Sequence, residues 1–334
     1  MSYISRVPKN SILFAPMEGI TDEAYRLAIE QAFPDWSYLS TDFLRIPTQG
    51  EYNSKKIIEH FGEVAFSSTQ HKKKTAFQIL TTARANTESH IKKIQELGFD
   101  HIDLNLGCPS KKVNSHKGGA YLLKDHFTLR EIIKTIRSNF KGIFSAKIRI
   151  GYHDDSHFLD LLKLLEDEGV EAITLHGRTR DQLYEGTANW KYIKKAVKAV
   201  NIPLIGNGDC WTLEDIEKMF EETDCHGVML GRGALKTPWM GTLFEENKNR
   251  IYAVNEEYLL YERQKQLDYY FYLMEKNYRK KGLDDDQILR RFKAFSRYLY
   301  DDYPSGEEVR SRFLRSRTLD EYKGFLNSLK SFFH

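Results

Sequence analysis

The sequence predicts an α/β protein, a (β/α)8 TIM barrel with an all-helical domain at its C-terminus. Three observations lead to this prediction: eight short apolar runs rich in β-branched residues, amphipathic segments between most of these runs, and no strand-like alternation from Asn255 onward. Strands that alternate with helices form parallel βαβ units, and eight such units can close into a barrel. The 334 residues can hold one large domain and one small domain.

Eight short segments are the candidate strands. They cover residues 11–15, 37–42, 75–80, 101–106, 143–148, 172–175, 202–205 and 227–230. Apolar residues at helical spacing between them predict helices over residues 87–97, 129–139, 158–168, 190–200 and 213–220. The second βα unit is the exception, because residues 46–68 follow neither pattern.

After the barrel, apolar and basic residues recur at helical spacing. This pattern predicts helices over residues 256–276, 286–300, 307–316 and 318–333. Thr318 is the expected N-cap of the last helix, because Glu321 follows three residues later as in a capping box. We therefore expect a barrel domain over residues 1–246, a linker over residues 247–254 and a helical domain over residues 255–334.

Composition excludes several classes of protein. No uncharged apolar run reaches the roughly 18 residues that a membrane span requires, and residues 1–10 lack an apolar signal core. The three cysteines are far apart and form no Cys-x-x-Cys pair, so no disulfide framework is expected and a cytoplasmic location follows.

Charge gives no strong indication of a partner. The net charge is only +3, so a nucleic-acid partner would have to use local basic clusters. Such clusters lie at residues 71–74, 111–112, 279–281 and 290–293. Any one of them can equally be a solvated surface.

Polar residues concentrate where the predicted strands end and the βα loops begin, which is where barrel enzymes place their catalytic groups. These residues are Pro16, Met17 and Glu18, Gln78, Asn105 and Cys108, Lys147 and Arg149, His176, Asn207, Gly208 and Asp209, and Gly231 and Arg232. The last two groups predict a phosphate site, because glycines let a backbone approach a ligand and helix N-termini attract phosphate. Two ordinary tight turns would give the same pattern. Such a site suits a phosphorylated cofactor, a nucleotide sugar or a sugar phosphate.

The most informative segment is residues 105–114, Asn-Leu-Gly-Cys-Pro-Ser-Lys-Lys-Val-Asn, which places the Cys108 thiol on a stiff turn just beyond a strand. A lone cysteine is usually buried and inert, but this one lies outside the apolar run. A thiol with a pKa near ~8.5 is protonated at neutral pH and can donate a proton. Lys111 and Lys112 could instead lower that pKa and make the thiol a nucleophile, so the residues alone leave both roles open. The histidines lack metal-ligand spacing, so no metal site is expected.

This segment and five others resemble the bacterial tRNA-dihydrouridine synthases. The others are residues 15–19 (Ala-Pro-Met-Glu-Gly), 146–149 (Ala-Lys-Ile-Arg), 175–179 (Leu-His-Gly-Arg-Thr), 205–208 (Ile-Gly-Asn-Gly) and 228–233 (Val-Met-Leu-Gly-Arg-Gly). Each motif alone is weak, but the set occurs in the same order over roughly residues 10–240 and is specific. The resemblance implies an FMN-dependent enzyme, with NADPH as reductant, that reduces the C5=C6 bond of a uridine in tRNA.

The resemblance also implies roles for individual residues. Cys108 would protonate C5 of the uracil, and Lys147, Gln78 and His176 would contact the flavin. The same role suits Lys147 on physical grounds, because a lysine inside an apolar strand needs a partner or an electron-rich ligand. The whole predicted cofactor site comprises Pro16, Met17, Glu18, Gln78, Lys147, His176, Asn207, Gly208, Asp209, Gly231 and Arg232.

A uridine inside a folded tRNA must be extracted before it can reach the flavin. Asn105 is expected to hydrogen-bond this base, and Arg45, Arg149 and Tyr184 resemble positions that face tRNA. The residues expected to hold the RNA backbone lie in the helical domain, and they are Arg291, Lys293 and Arg297.

The position of the target uridine is predicted from resemblance to one subfamily. Residues 17–19 (Met-Glu-Gly) and 118–120 (Gly-Gly-Ala) most resemble the C-type bacterial enzymes, which act on uridine 16 of the D-loop. The protein is expected to be a monomer that binds the D-arm of tRNA.

Two other functions are compatible with parts of the sequence. A flavin-dependent dihydroorotate or dihydropyrimidine oxidoreductase would share the phosphate site and the lysine, but it would need no basic helical domain. A non-catalytic RNA-binding or chaperone role would need the basic domain but no flavin. Flavin absorbance of the purified protein and tRNA that co-purifies with it would separate these alternatives.

Overall fold

The computed structural model describes residues 2–248, 256–299 and 306–328. The chain forms two compact units. Unit 1 comprises Met1–Glu18 and Ser37–Leu230, and unit 2 comprises Gly19–Trp36 and Gly231–His334. Unit 2 therefore takes an early segment of the chain as well as its C-terminal part. Most of the predicted linker, residues 249–254, lies outside the described residues, and the predicted domain boundaries stay predictions.

Unit 1 contains the parallel barrel that the sequence predicts. Its strands are β1 (Ser11–Phe14), β2 (Leu39–Ser40), β3 (Leu44–Arg45), β4 (Thr75–Leu80), β5 (His101–Leu106), β6 (Ile143–Arg149), β7 (Ala172–His176), β8 (Leu204–Asn207) and β9 (Gly227–Leu230). Their order is β1-β9-β8-β7-β6-β5-β4-β2, with β3 also paired to β4. The N–H of Phe14 donates to the Tyr38 carbonyl at 2.9 Å and brings β1 back to the start of β2. The (β/α)8 prediction is confirmed.

The second strand position is divided into two short pieces. Leu39 and Ser40 pair with the start of β4, and Leu44 and Arg45 pair with its end. Between the two pieces, the Thr41 hydroxyl accepts a hydrogen bond from the backbone N–H of Gln78 at 3.0 Å. The single strand predicted over residues 37–42 is therefore shorter in the structure and ends at Ser40, because a side chain replaces part of the backbone hydrogen bonding at Thr41.

Helices separate the strands of unit 1. They are Tyr3–Arg6, Ser54–Phe61, Glu63–Ser67, Thr69–Lys74, Thr87–Glu96, Lys111–Ser115, a 3-10 helix at Gly119–Lys124, His126–Asn139, Phe158–Asp167, Lys191–Ala199 and Leu213–Thr223. The five helices predicted between strands are present with ends shifted by a few residues. The segment that followed no pattern contains two short helices, Ser54–Phe61 and Glu63–Ser67. Asn53 is the N-cap of the first, and Ser68 caps the next helix along the chain, Thr69–Lys74. Phe61 anchors this segment in the core, 5.9 Å from the ring of Phe77.

Unit 2 is all-helical in its described residues. Its helices are Glu23–Ala32, Arg232–Lys236, Met240–Lys248, Glu256–Lys280, Asp285–Leu299, Gly306–Arg315 and Leu319–Ser328. The helical character predicted for the C-terminal region is confirmed in its described residues, although the predicted last helix extends to residue 333, beyond them. The Thr318 hydroxyl accepts the backbone N–H of Glu321 at 3.1 Å, as an N-cap does. Aromatic rings fill the core of this unit; Phe271 lies 5.1 Å from Phe292 and 5.7 Å from Tyr322. Within the described parts of the chain, no helix is long and apolar enough to cross a membrane.

Candidate active site

The carboxyl ends of the parallel strands bring most of the predicted site residues to one end of the barrel in unit 1. Those residues are Pro16, Met17, Glu18, Arg45, Gln78, Asn105, Cys108, Lys147, Arg149, His176, Tyr184, Asn207, Gly208 and Asp209. The predicted residues in unit 2 are Gly231, Arg232, Arg291, Lys293 and Arg297. No side chains of the described residues form a group of three or more metal-binding carboxylates, cysteines or histidines.

Hydrogen bonds hold the Cys108 turn at the end of β5. The side-chain oxygen of Asn105 accepts the backbone N–H of Gly107 at 3.1 Å and of Cys108 at 2.9 Å. The side-chain amide of Asn114 donates to the Cys108 carbonyl at 2.9 Å. The turn is thus fixed from both sides, and it presents the thiol beyond the strand end.

Gly119 packs directly under this turn. Its φ of +59° lies in the left-handed region, and a Cβ there would lie 2.9 Å from Cγ1 of Val113 and 3.2 Å from Cβ of Cys108. Only glycine combines this backbone conformation with so close an approach. The paired glycines singled out in the sequence therefore open a 3-10 helix and support the cysteine turn.

The environment of Cys108 favours the protonated thiol. Burial is the largest effect and raises the pKa of the Cys108 thiol above its ordinary value, and the charge of Glu18 raises it further. A hydrogen bond from the Ser110 backbone and the charges of Arg45 and Arg149 oppose this shift. The thiol therefore carries its proton at neutral pH, which suits a proton donor better than a nucleophile.

Gln78 and Asp103 lie beneath the Cys108 turn inside the barrel. The Gln78 side chain is fully buried; its Nε2 donates to Oδ2 of Asp103 at 2.8 Å, and its Oε1 accepts from Nδ2 of Asn105 at 2.8 Å. Sequence analysis did not find Asp103, because an acidic residue within an apolar strand gives no motif of its own. These two bonds use one hydrogen of the Asn105 amide, donated to Gln78, and one hydrogen of the Gln78 amide, donated to Asp103.

Lys147 points from β6 toward β8. Its Nζ donates to Oδ1 of Asn207 at 3.1 Å, and Nδ2 of Asn207 donates to the Met229 carbonyl at 2.7 Å. Burial, followed by the charge of Arg149, lowers the pKa of Lys147 to about 8. An amine with this pKa remains largely cationic at neutral pH and can bind an electron-rich ligand.

Arg149 is buried and is tied to the surrounding loops. Its Nε donates to the Gly107 carbonyl at 2.9 Å, and its Nη1 donates to the carbonyls of Thr179 at 2.8 Å and Leu183 at 3.0 Å. Burial lowers its pKa to about 10. The guanidinium lies 5.8 Å from the ring centroid of Tyr184, a side chain that is 56% exposed. Arg149 thus joins the loops that follow β5 and β7, and its predicted contact with tRNA stays a prediction.

Asp209 is engaged by an arginine that sequence analysis missed. Arg178 donates to both carboxylate oxygens of Asp209, at 2.9 and 2.7 Å, and the backbone N–H of Ala188 donates to one of them at 2.7 Å. His176 lies 3.4 Å from the same guanidinium. The carboxylate of Asp209 therefore holds the loop that follows β7, and its predicted contact with the cofactor stays a prediction. Arg178 lies in the motif at residues 175–179, but its partner Asp209 lies outside that motif.

Gly208 allows this loop to pack closely. Its φ is +115°, and a Cβ there would lie 2.7 Å from Cβ of Ala188 and 2.7 Å from Cδ2 of His176. Gly208 is therefore required by packing against the protein's own side chains, and the predicted phosphate site at this turn stays a prediction.

The predicted residues of unit 2 occupy different environments within that unit. Gly231 precedes the helix Arg232–Lys236. Arg291 donates to the Gly19 carbonyl at 2.6 Å and lies 3.8 Å from a carboxylate oxygen of Asp22. Arg297 is exposed and Lys293 is half-buried on the helix Asp285–Leu299. Arg291 therefore has a role in holding unit 2 together, whereas Arg297 faces outward.

A closed parallel barrel whose strand ends hold a protonated thiol and a half-buried lysine defines an enzyme of the (β/α)8 class. A family model described as "Dihydrouridine synthase (Dus)" matches residues 13–329 of the chain. The chain belongs to this dihydrouridine synthase family.

Three known proteins illustrate the similarity. The tRNA-dihydrouridine(16) synthase of Neisseria meningitidis serogroup B is 32% identical over 248 residues, which are 72% of this chain and 73% of that protein. The tRNA-dihydrouridine(16) synthase of Haemophilus influenzae is 30% identical over 322 residues, 95% of this chain and 99% of that protein. A 2-naphthoyl-CoA reductase structure aligns with a TM-score of 0.53 at 10% identity, over 72% of this chain and 50% of that chain, and it supports the fold alone.

Proposed function

We propose that this protein is an FMN-dependent tRNA-dihydrouridine synthase that reduces uridine 16 of the D-loop to 5,6-dihydrouridine, with NADPH as reductant. The observation that carries the proposal is the Cys108 turn, which presents a protonated thiol at the end of β5. Family membership supplies the reaction, and the names of the Neisseria and Haemophilus relatives supply the position of the uridine. A cytoplasmic monomer that binds the D-arm is part of the same proposal.

The residues of unit 1 fit a flavin. The Lys147 ammonium group, with one hydrogen bond to Asn207 and a lowered pKa, provides a cation for the electron-rich ring system. Packing of Gly208 against Ala188 and His176 fixes the loop after β8, where we propose that the phosphate binds. The further proposed cofactor contacts are Pro16, Met17, Glu18, Gln78, His176, Asp209, Gly231 and Arg232, and they rest on family membership. When bound, the flavin supplies the hydride for C6 of the uracil.

Cys108 performs the second half of the reduction. Its thiol gives a proton to C5 of the uracil as C6 is reduced, so that one hydride and one proton saturate the double bond. The charges of Arg45 and Arg149, which act on Cys108, stabilise the thiolate that remains. Solvent then returns a proton to the sulfur before the next turnover.

We propose that the substrate base is held beside Cys108 by Asn105. One hydrogen of the Asn105 amide is used by Gln78, and the second can bond to a uracil carbonyl. The exposed ring of Tyr184 provides a surface for stacking the extracted nucleotide. In unit 2, Arg291, Lys293 and Arg297 are proposed contacts to the RNA backbone.

The proposal is tested with purified protein and unmodified tRNA. We expect a flavin absorbance spectrum, FMN and not FAD by mass spectrometry, and NADPH-dependent formation of dihydrouridine at position 16 by nucleotide-resolved sequencing. Reduction only at position 17, 20 or 20a would refute the assignment of the uridine. Reduction of a free pyrimidine without any reduction of tRNA would refute the proposed substrate class.

A further inference from the structure

A continuous series of buried hydrogen bonds runs through the barrel to the Cys108 turn. At its far end, the hydroxyl of Tyr38 lies 2.7 Å from Nδ1 of His101, and Nε2 of His101 lies 2.9 Å from the hydroxyl of Ser145. The Ser145 hydroxyl lies 2.6 Å from Oδ1 of Asp103. All of these side chains are buried. The other oxygen of Asp103 accepts from Gln78, which leads through Asn105 to the backbone of Cys108.

The direction of the bonds near Cys108 is fixed by the backbone. The N–H groups of Gly107 and Cys108 can only donate, so Asn105 must present its oxygen to them. Its amide nitrogen then faces Gln78, which must present its own oxygen. The nitrogen of Gln78 is thereby directed at Asp103, and the side chain at position 103 has to be a hydrogen-bond acceptor.

The hydrogen bonds that start at Tyr38 can also be directed at the Asp103 side chain. Burial lowers the pKa of His101 to about 3, so this ring is neutral and carries one N–H. If the Tyr38 hydroxyl donates to Nδ1, the N–H lies on Nε2 and donates to Ser145. The Ser145 hydroxyl then donates to Asp103. In this arrangement, donors reach the Asp103 side chain from both directions.

We infer that Asp103 is a positioning residue, which sets the orientation of the Gln78 and Asn105 amides and through them the geometry of the Cys108 turn. This inference rests on the proposed function only for the role of Cys108 as proton donor. An apolar side chain at position 103 would leave the Gln78 amide without an acceptor in the barrel interior, and a buried amide without a partner is strongly disfavoured. The Gln78 amide would then reorient, and Asn105 would lose the partner that keeps its oxygen on the Cys108 N–H.

The inference is tested by alkylating the purified protein with iodoacetamide and measuring modification of each cysteine by peptide mass spectrometry. Asp103→Leu removes the acceptor and should raise the alkylation rate of Cys108 by about tenfold, the change expected for one lost buried hydrogen bond. Asp103→Asn keeps an acceptor oxygen and should stay within about twofold of the natural protein. Cys210 and Cys225 are buried, so their resistance to alkylation shows in the same sample that the barrel is folded. An unchanged Cys108 rate in folded Asp103→Leu would overturn the inference.

A second pair of variants tests the role of Asp103 if Asp103→Leu does not fold. Gln78→Glu alone sets a carboxylate against Asp103, which should disturb the turn and change the Cys108 rate. Combining Gln78→Glu with Asp103→Asn exchanges the amide and the carboxylate, so every donor again meets an acceptor. We expect the double variant to return to within about twofold of the natural rate. A double variant no closer to the natural rate than Gln78→Glu alone would contradict the inference.

Activity provides an independent measurement. If the protein reduces uridine, Asp103→Leu should slow dihydrouridine formation, and its effect should be smaller in the Cys108→Ala background because part of it acts through the thiol. Fully additive losses would show that Asp103 does not act through Cys108. Alkylation needs no RNA, so its outcome stands whether or not tRNA proves to be the substrate.

Discussion

At the scale of single residues, the neutral thiol of Cys108 makes the sharpest prediction about chemistry. Cys108→Ala should lower dihydrouridine formation by about 10²–10⁴-fold, the range expected for a missing general acid. Reduction of the flavin by NADPH should be unaffected, because that half-reaction needs no proton at uracil C5. The measurement is single-turnover oxidation of pre-reduced enzyme by unmodified tRNA. Oxidation of Cys108→Ala at the natural rate, with dihydrouridine formed, would show that another group is the acid.

A control for Cys108→Ala is useful only if it does not also remove a side chain from the core. Cys108→Ser keeps the size of the side chain but has a much weaker acid, so it should retain only a little activity. Cys210 and Cys225 lie in the core, and replacing either one tests stability and not proton donation. Their pKa values are raised by burial, which agrees with inert structural thiols.

Lys147 makes a second prediction, which concerns pH. Its pKa of about 8 lies below that of a lysine in the unfolded chain, so the unfolded state binds more protons between about pH 8 and the ordinary lysine value. The contribution of Lys147 to the free energy of unfolding therefore rises with pH in that window. Lys147→Met should remove this rise, as measured by urea denaturation of the cofactor-free protein. The same substitution should abolish the loss of FMN affinity that we expect as pH rises through 8 and the amine loses its charge.

At the scale of elements, the 3-10 helix after the cysteine turn depends on Gly119. Gly119→Ala should lower the free energy of unfolding by about 2–4 kcal/mol, because it adds a clash with Val113 to the strain of a positive φ. It should also lower dihydrouridine formation, because the new methyl group would press on Cys108.

Gly186 offers a matched control for Gly119. Its φ of +62° is nearly the same, but a Cβ there would meet nothing within 4 Å. Gly186→Ala should therefore lower stability by only about 1 kcal/mol, from backbone strain alone. Urea denaturation and the tRNA assay measure both variants. Equal effects of the two substitutions would mean that packing under the cysteine turn is unimportant.

Periodicity in the sequence predicts some of these elements and not others. Alternating strands and helices identified the barrel, because each element buries one face and the pattern is local. The divided second strand was not predicted, because it depends on the Thr41 hydroxyl, which takes the place of a backbone carbonyl as acceptor for the N–H of Gln78 on β4. The roles of Asp103 and Arg178 were also missed, because each is explained by partners far away in the sequence. Cys108 was found because a motif and a strand end coincide there.

At the scale of the whole molecule, the proposed RNA contacts of unit 2 predict a dependence on salt. Replacing Lys293 and Arg297 with alanine should weaken binding of unmodified tRNA and reduce the slope of log affinity against log salt by roughly one for each phosphate that the protein no longer neutralises. Reduction of the flavin by NADPH should be unchanged. Arg312→Ala is a suitable control, because Arg312 is an exposed arginine of the same unit that is paired with Glu308 at 2.7 Å. Normal tRNA binding by the double variant at every salt concentration would exclude this surface.

The early segment of unit 2 has a consequence for how the protein is made. Tyr25, on the helix Glu23–Ala32, is buried 5.9 Å from the ring of Tyr270 and 5.5 Å from the ring of Phe295. A ribosome that adds about 5–20 residues per second reaches Tyr270 on the order of 10–50 s after it has completed that helix. During this interval Tyr25 lacks both ring contacts, and a chain released early, for example by a stop codon at the end of the barrel, would never form them. Nascent chains arrested between the two segments should therefore bind chaperones that recognise apolar surface, and full-length chains should escape them.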